Sequence, residues 1–529
     1  MAREIGDPTS LSFPRGKQNL QSIFILCTII LLTLLVTIHV LKLDKIPAGL
    51  FLDESSIGYN AITIMNTGRD EHGVRYPIYF ESVGDYKNPI FIYSVAVVFK
   101  LFGVSEFTLR FTSVIFYFAA LIITIVLVRR MFEQSKAVLT YMLISFGFLP
   151  LLFTISRLSF EVITQLTWVA ATNLCIWLTF HEADNDRFAF LKSLGCGFVI
   201  GTSIYTYSTA RLLSFLALFF LWMIYLRREN IKKLTTITSA FLISLIPFFY
   251  FTFRQTSDIS SRFLELSYMD DPIGVIEKLA LFIRNLGIYW SPDFLIFHGD
   301  PNLRHSTGHG GIIYVTTLLL FIVGLANIII TKKLNRFNIF LFINLLLSPV
   351  AAALTSEGTP HALRSMLMGY YILLFSCFGL ESIDKLKGQH TRKFAFAFVL
   401  VCLLAESASY QLDYFLAYPA RSVETMGSLD FKTSLETAIA QNPEEIIFVN
   451  EPRVTYANLQ FYGYLVENPT EIPMICNDTP KPKPGVCILY NRRNESLLEQ
   501  SAYPFIEFKS QQGKALDGVM KVRCYLGPD

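Results

Sequence analysis

The amino-acid sequence predicts an all-α protein that crosses a membrane about eleven times and ends in a small α/β domain. The chain of 529 residues is 52% hydrophobic and only 16% charged, whereas soluble domains are about a quarter charged. Its mean hydropathy is +0.45. The apolar residues gather in runs of roughly 20 residues, the length at which a helix crosses a bilayer.

The apolar runs share this length and a near absence of charge, and they cover residues 21–43, 106–128, 134–155, 160–180, 191–206, 209–226, 234–252, 312–331, 336–355, 361–381 and 393–411. The first is too long for the core of a signal peptide and lacks a small-residue cleavage site, so we interpret it as the first membrane helix. A further run at 89–102 is too short to span and predicts an interfacial or re-entrant helix.

Basic residues in the short loops predict the orientation. Clusters that begin at Arg129, Arg227, Lys332 and Lys385 all fall on the side that carries the N-terminus, and an excess of Lys and Arg marks cytoplasmic loops. We therefore expect a multi-pass plasma-membrane protein with a cytoplasmic N-terminus. The predicted membrane domain covers residues 1–411, and its long outer loops are 44–105 and 253–311.

Residues 412–529 are expected to form the extracytoplasmic domain. A helical segment at 435–440 and strand-like runs at 446–449 and 486–490 predict a small α/β fold. In an oxidising compartment Cys476 and Cys487 are close enough in sequence to form a disulfide, which would leave Cys524 unpaired. The net charge of only +3 argues against a nucleic-acid partner.

Charged residues gather at the outer ends of the predicted helices, where proximity to hydrocarbon makes them costly and favours a functional role. Asp53 and Glu54 follow the first predicted helix, although Asp53 alone could simply be a helix N-cap. Arg157 and Glu161 are four residues apart and would share one face of a helix. A local surface ion pair is the alternative reading of that second pair.

The other candidates lie in the outer loops or where an apolar helix begins, and they are Lys87, Tyr207, Arg211, His305, His361 and Arg364. Each has a simpler reading, such as a snorkelling arginine or a polar loop. Taken together, the cations suit a phosphate group, and a carboxylate suits proton abstraction from a hydroxyl. An anionic lipid headgroup and a hydroxyl acceptor are the simplest substrates that meet both needs.

One block of about sixty residues resembles the GT-C superfamily of membrane glycosyltransferases, in the branch of the protein O-mannosyltransferases and the lipid A aminoarabinose transferase. The block runs from Leu52-Asp53-Glu54 through Tyr86-Lys87-Asn88-Pro89-Ile90 and Leu101-Phe102-Gly103 to Glu106-Phe107-Thr108-Leu109-Arg110. The resemblance implies a polyprenyl-phosphate-sugar donor and a catalytic acid in the first outer loop, which is Asp53. Glu161 occupies the position of a second acid, where the family more often has aspartate, and Lys87-Asn88-Pro89 replaces the family's Lys-Pro-Pro.

The sequence thus predicts an inverting glycosyltransferase whose partners are a lipid-linked sugar donor, membrane lipids and an acceptor that the sequence does not specify. Asp53 and Glu161 are the predicted catalytic residues. The residues predicted to bind substrate are Glu54, Lys87, Arg157, Tyr207, Arg211, His305, His361 and Arg364. We expect no obligatory cofactor, with a divalent metal as an open alternative. A flippase or transporter of lipid-linked sugars and a glycan polymerase or ligase are the competing functions.

Overall fold

The structure is a computed structural model. It describes residues 15–82, 84–133, 135–182, 186–254, 265–332, 334–356, 358–426, 429–449, 456–466, 474–475, 483–490, 504–509 and 521–525. These residues form two compact units, Met1–Leu41 and Lys42–Asp529. The first unit contains one helix, α1 (Arg15–Val40).

In the second unit the segment before the helical bundle comes first. It comprises helix α2 (Leu52–Thr67), a hairpin of β1 (Phe80–Ser82) and β2 (Asp85–Lys87), and helix α3 (Pro89–Phe102). The hairpin is antiparallel and pairs Phe80 with Lys87. Pro89 is the first residue of α3, a position where the missing N–H costs no hydrogen bond.

Helices then follow one another through the bundle, and they are α4 (Glu106–Met131), α5 (Lys136–Phe148), α6 (Pro150–Ser156), α7 (Val162–His181), α8 (Asp186–Thr202), α9 (Ala210–Tyr225), α10 (Ile231–Ser244), α11 (Ile246–Arg254), α12 (Val275–Tyr289), α13 (Val315–Ile330), α14 (Arg336–Leu347), α15 (Val350–Ala353), α16 (Met366–Asp384) and α17 (Gln389–Leu416).

Seven helical segments among the described residues are long and apolar enough to cross a membrane, and the bent pair α5–α6 would make an eighth. Three of the predicted membrane helices are represented by shorter apolar helices, at Ile25–Val40, Ala210–Tyr225 and Val315–Ile330. The prediction of a polytopic helical membrane protein is therefore confirmed, while the number eleven stays a prediction. The run at 89–102 forms the short helix α3, as expected.

Helix α16 lies at the centre of the bundle, since 83% of its most apolar 18-residue stretch is buried inside the protein. It packs closely on α13 through small residues. A Cβ atom added to Gly379 would lie 2.0 Å from the carbonyl oxygen of Leu320, and one added to Gly324 would lie 2.3 Å from that of Phe375. Small residues of this kind allow the backbones of membrane helices to approach.

The chain ends with α18 (Tyr418–Met426), α19 (Leu429–Ile439), α20 (Tyr456–Leu465) and the strands β3 (Glu445–Val449), β4 (Met474–Ile475), β5 (Val486–Tyr490), β6 (Phe505–Lys509) and β7 (Lys521–Tyr525). The five strands form one mixed sheet in the order β4-β3-β5-β7-β6. Strand β3 is parallel to β4 and β5, and β7 is antiparallel to β5 and β6.

The pairing of Cys476 with Cys487, which the sequence left open, does not form, because Cys487 forms a disulfide with Cys524. Cys487 and Cys524 lie directly opposite each other on the neighbouring strands β5 and β7. Strand register therefore selected a partner 37 residues away in sequence over the closer Cys476, which lies outside the described residues.

Candidate active site

Asp53 lies in the first turn of helix α2. The helix begins at Leu52 and its N-cap is Phe51, so the reading of Asp53 as the N-cap is wrong by two residues. The capping interaction comes instead from Glu54, whose Oε2 accepts a hydrogen bond from the Phe51 backbone N–H at 3.0 Å. The Asp53 side chain keeps 35% of its surface exposed. It is therefore held on a rigid helix and remains accessible.

Lys87 is the ion-pair partner of Asp53. It is the last residue of β2, and its Nζ lies 2.6 Å from Asp53 Oδ1. Burial opposes both charges, but the pairing dominates. The pKa of Asp53 is held below its usual value because Lys87, Arg304 and His305 outweigh the effect of burial. Burial likewise lowers the pKa of Lys87, but Asp53, Glu161 and Asp85 raise it more.

Glu161 approaches Lys87 from the other side. The expectation that Arg157 and Glu161 share one helix face is wrong, because α6 ends at Ser156 and α7 begins at Val162, so the two residues lie in the intervening turn. One carboxylate oxygen of Glu161 accepts a hydrogen bond from the Asn88 backbone N–H. Burial raises the pKa of Glu161 to about 7, although Lys87 and this hydrogen bond lower it. Two acids with different environments therefore flank one lysine.

Tyr207, in the turn before α9, and Arg211, in the first turn of α9, lie near the segment that carries Lys87 and Asn88. Arg211 Nη2 donates to Asn88 Oδ1 at 3.3 Å, and its guanidinium lies 5.0 Å from the centre of the Tyr79 ring. Burial raises the pKa of Tyr207 to about 12, and the charges of Arg364, Glu161, Asp53 and Asp85 also act on its hydroxyl. This hydroxyl is therefore close to the charged centre.

Two histidines complete the site. The rings of His305 and His361 lie 4.4 Å apart, and His305 Nδ1 is 2.8 Å from Asp300 Oδ2. Burial lowers the pKa of both imidazoles, so both are neutral near pH 7. Arg364 follows His361 and donates to Thr355 Oγ1 at 3.0 Å.

A divalent metal would find one group of suitable donors among the described residues. Ligand atoms of Asp300, His305 and His361 all lie within 4.8 Å of one another, and carboxylate and neutral imidazole are common zinc ligands. Asp300 Oδ2 already accepts a hydrogen bond from the Ala362 N–H at 2.7 Å. The side chains of the three residues are therefore suitable metal ligands by donor type.

Glu54 and Arg157 lie beneath the accessible groups and are fully buried. Arg110 Nε and Nη2 contact the two oxygens of Glu54 at 2.9 and 3.0 Å, and the Ser159 N–H donates to the same carboxylate at 2.9 Å. Arg157 Nε donates to the Tyr414 hydroxyl at 3.0 Å. Both residues therefore support the turns that carry the site.

The sequence interpretation did not select Arg304, Asp300 or Asn88 as site residues. The Arg304 guanidinium lies 4.1 Å from the centre of the ring of Phe51. Phe51 is the residue that directly precedes α2. Arg304 directly precedes His305 in the sequence, and this position could have identified it as a site residue. Asn88 contacts Glu161 through its backbone and Arg211 through its side chain, and nothing in the sequence pattern indicates either contact.

Comparison with known proteins supports this reading of the fold. Residues 86–251 match the family model described as dolichyl-phosphate-mannose-protein mannosyltransferase. No curated protein sequence matches the chain. The apo structure of ArnT from Cupriavidus metallidurans is similar with a TM-score of 0.59 and 12% identity, over 95% of this chain and 99% of that one. The structure of the same protein bound to undecaprenyl phosphate gives 0.60 and 13%, with the same coverage.

The fold of ArnT extends over nearly the whole chain, and the mannosyltransferase family match covers the segment that carries Lys87, Glu161 and Arg211. The protein has many apolar helices and is therefore a multi-pass membrane protein. The chain thus combines a segment similar to the mannosyltransferase family with a GT-C fold like that of ArnT, and together these findings indicate a membrane glycosyltransferase.

Proposed function

We propose that the protein transfers a sugar from a polyprenyl-phosphate donor to an acceptor hydroxyl on the outer face of the membrane, with inversion at the anomeric carbon. The observation that carries the proposal is the partly exposed Asp53 carboxylate, which lies in the first turn of a helix and interacts with Lys87 and Arg304. A base next to several cations fits a reaction that removes a proton and releases a phosphate.

In the proposed reaction Asp53 accepts the proton of the acceptor hydroxyl while its oxygen bonds to the anomeric carbon. The bond from that carbon to the phosphate oxygen breaks, and polyprenyl phosphate leaves with the electron pair. The leaving group is already an anion and needs little protonation, so one base and several cations suffice. We assign Lys87, Arg211 and Arg364 to the phosphate, because arginine can contact phosphate oxygens in bidentate fashion.

Glu161 is proposed to stabilise the positive charge of Lys87. Its carboxyl group acts on Lys87 and is tied to the Asn88 N–H. With a pKa of about 7, it can also act as the alternative base. Glu54 and Arg157 are assigned to structural support on account of their buried contacts, and Tyr207, His305 and His361 to orientation of the substrates.

The polyprenyl chain of the donor would need an apolar path into the bundle. A small cavity of about 40 Å³ lies between α7, α9, α14 and α16, and it is lined by apolar side chains such as Leu213 and Phe340 together with polar ones such as Gln165. Ala210 also lines it and directly precedes Arg211. The proposed phosphate ligand Arg211 thus adjoins a cavity that has to widen before it can admit a polyprenyl chain.

The outer location of the site is proposed from charge and disulfide chemistry. The basic loops predict a cytoplasmic N-terminus, and Cys487 and Cys524 form a disulfide in the C-terminal sheet. Disulfides persist mainly in extracytoplasmic compartments. A cytoplasm-dependent reporter fused after Asp529 should therefore be inactive.

The function is tested with purified protein in liposomes that contain a radiolabelled polyprenyl-phospho-sugar. The expected result is release of polyprenyl phosphate together with label on a hydroxyl-bearing acceptor. Movement of the donor between leaflets without cleavage would instead support a flippase, and the absence of both would refute the proposal.

Loss of the phosphate ligands is expected to weaken the donor interaction. Arg211→Ala and Arg364→Ala should each raise the donor KM by about tenfold or more, the effect of losing a hydrogen bond to a charged group. Initial rates at varied donor concentration measure this. Arg392→Ala is the control, because Arg392 is exposed and lies in the first turn of α17. Unchanged donor kinetics in both variants would place the phosphate elsewhere.

Removal of the Lys87 charge should shift the acid limb of the pH–rate profile to higher pH. In Lys87→Gln, burial still raises the pKa of Asp53 but the strongest opposing charge is gone, so the base becomes protonated at a higher pH. The measurement is kcat/KM against pH in a Glu161→Gln background, which removes the second titrating acid. An acid limb at the same or lower pH would contradict the pairing.

A further inference from the structure

The helix that carries Asp53 is packed against the C-terminal part of the chain. Phe461 of α20 is fully buried, and its ring lies against the backbone of Gly58 in α2. A Cβ atom added to Gly58 would lie 2.5 Å from Phe461 Cε2 and 3.3 Å from Leu109 Cδ2. Only glycine fits at position 58 while Phe461 keeps its place.

A second contact lies at the start of α4. Glu106 accepts a hydrogen bond from the Tyr462 hydroxyl at 2.8 Å and pairs with Lys432 of α19 at 2.8 Å. One turn further along α4, Arg110 holds Glu54 in the buried ion pair. Glu54 is the immediate neighbour of Asp53. Helix α20 therefore contacts both the helix that carries the acid and the helix that anchors it, and α19 contacts the second of these.

We propose that α19 and α20 form a positioning clamp for α2, with Phe461 and Tyr462 as positioning residues that act through Gly58 and Glu106. The proposal rests on the assignment of Asp53 as the base. Gly58 is five residues from Asp53, about 8 Å along a helix. A tilt or shift of α2 at Gly58 is therefore transmitted to the carboxylate over little more than one turn.

This inference gives the C-terminal domain a role in the chemical step, whereas a domain that only recruits acceptor would change acceptor affinity. Small displacements of a catalytic group are costly, since a shift of about 1 Å can reduce a rate about 100-fold. A loosened clamp should therefore lower kcat and leave the donor KM nearly unchanged, because the proposed phosphate ligands Lys87, Arg211 and Arg364 lie on other elements.

The test uses a compensating pair in the full-length protein. Phe461→Ala and Gly58→Ala should each lower kcat by about tenfold, the first by leaving a gap and the second by a steric clash. In the double variant the new methyl group occupies space that the ring has left, so kcat should recover to within about threefold of wild type. Ile506→Ala, on the exposed strand β6, is the matched control in the same domain.

Hydrogen–deuterium exchange of α2 provides a readout that does not depend on the reaction. Exchange of the amides at 52–67 should increase in each single variant and return towards wild type in the double variant. Tyr462→Phe, which removes only the hydrogen bond to Glu106, gives a milder variant that should fold normally and show the same direction. If wild type transfers sugar, equal kcat and equal α2 exchange in all variants would overturn the clamp. If wild type transfers nothing but α2 exchange responds as expected, the proposed function fails and the clamp stands.

Discussion

Asp53→Asn is expected to reduce sugar transfer by about 10²–10⁴-fold, the usual contribution of a general base, while donor binding persists. Asparagine is nearly isosteric with aspartate and keeps the first turn of α2 intact, because the N-cap contact comes from Glu54. Only the basic oxygen is lost. Lys87 loses its anionic partner in this variant and becomes more available to the donor phosphate. The donor affinity should therefore be equal to or tighter than that of wild type.

Single-turnover rates and equilibrium binding of the donor measure the two effects separately. Glu161→Gln is the informative companion, since it removes the other acid near Lys87 and should reduce transfer less than Asp53→Asn does. Near-normal transfer by Asp53→Asn, with a large loss in Glu161→Gln, would exchange the roles of the two acids.

Much of this site could be predicted from sequence because its charged residues are local exceptions in an apolar chain. Arg211 lies inside a long hydrophobic run, and Asp53 and Lys87 lie in the loop that follows the first one; charges close to the bilayer are costly. The grouping of these residues follows from orientation alone, since loops on one side of a bundle meet. Their individual pairing does not follow, because it depends on the hairpin β1–β2 that brings Lys87 to Asp53.

The sequence did not indicate which charged residues of the site are accessible and which are buried. Asp53 and Glu54 are adjacent, and periodicity could not tell which of the two side chains remains accessible. The structure turns Glu54 inward to Arg110, which lies 56 residues away, and leaves Asp53 outward. Arg157 was similarly ambiguous, because its packing against Tyr414 of α17 spans 257 residues. Contacts over such sequence distances leave no periodic signal.

The fold class was predictable because hydrophobic length is a direct physical requirement of the bilayer. Helix breaks were harder. The run at 134–155 divides into α5 and α6, which are bent by 56° at the break. Pro150 starts the second helix and cannot donate the backbone hydrogen bond that a continuous helix would need. The disulfide partner of Cys487 was missed for a related reason, since strand register rather than spacing decides it.

The accessible and the buried residues of the site both depend on the buried ion pair of Arg110 and Glu54. Arg110 also donates to the carbonyl oxygens of Leu43, Pro47 and Gly49 at 3.1, 2.9 and 2.5 Å. One guanidinium therefore organises the whole segment that leads into α2. A charge buried in a membrane protein is tolerated only when it is paired and hydrogen-bonded, and this one is satisfied on every side that the structure describes.

Arg110→Met is accordingly expected to destabilise the protein by about 3–5 kcal/mol, the cost of leaving one member of a buried ion pair without its partner. Glu54 would remain as a buried charge, and three backbone carbonyls would lose their donor. The unfolding transition in detergent measures the effect. Arg130→Met is the matched control on the same helix, because the Arg130–Glu182 pair is 40% and 35% exposed and such surface pairs contribute about 0–1 kcal/mol. Adding Glu54→Gln to Arg110→Met should recover part of the loss by removing the unpaired charge. If Arg110→Met unfolded like Arg130→Met, or if the double variant were the less stable of the two, the pair would not be the support of the site.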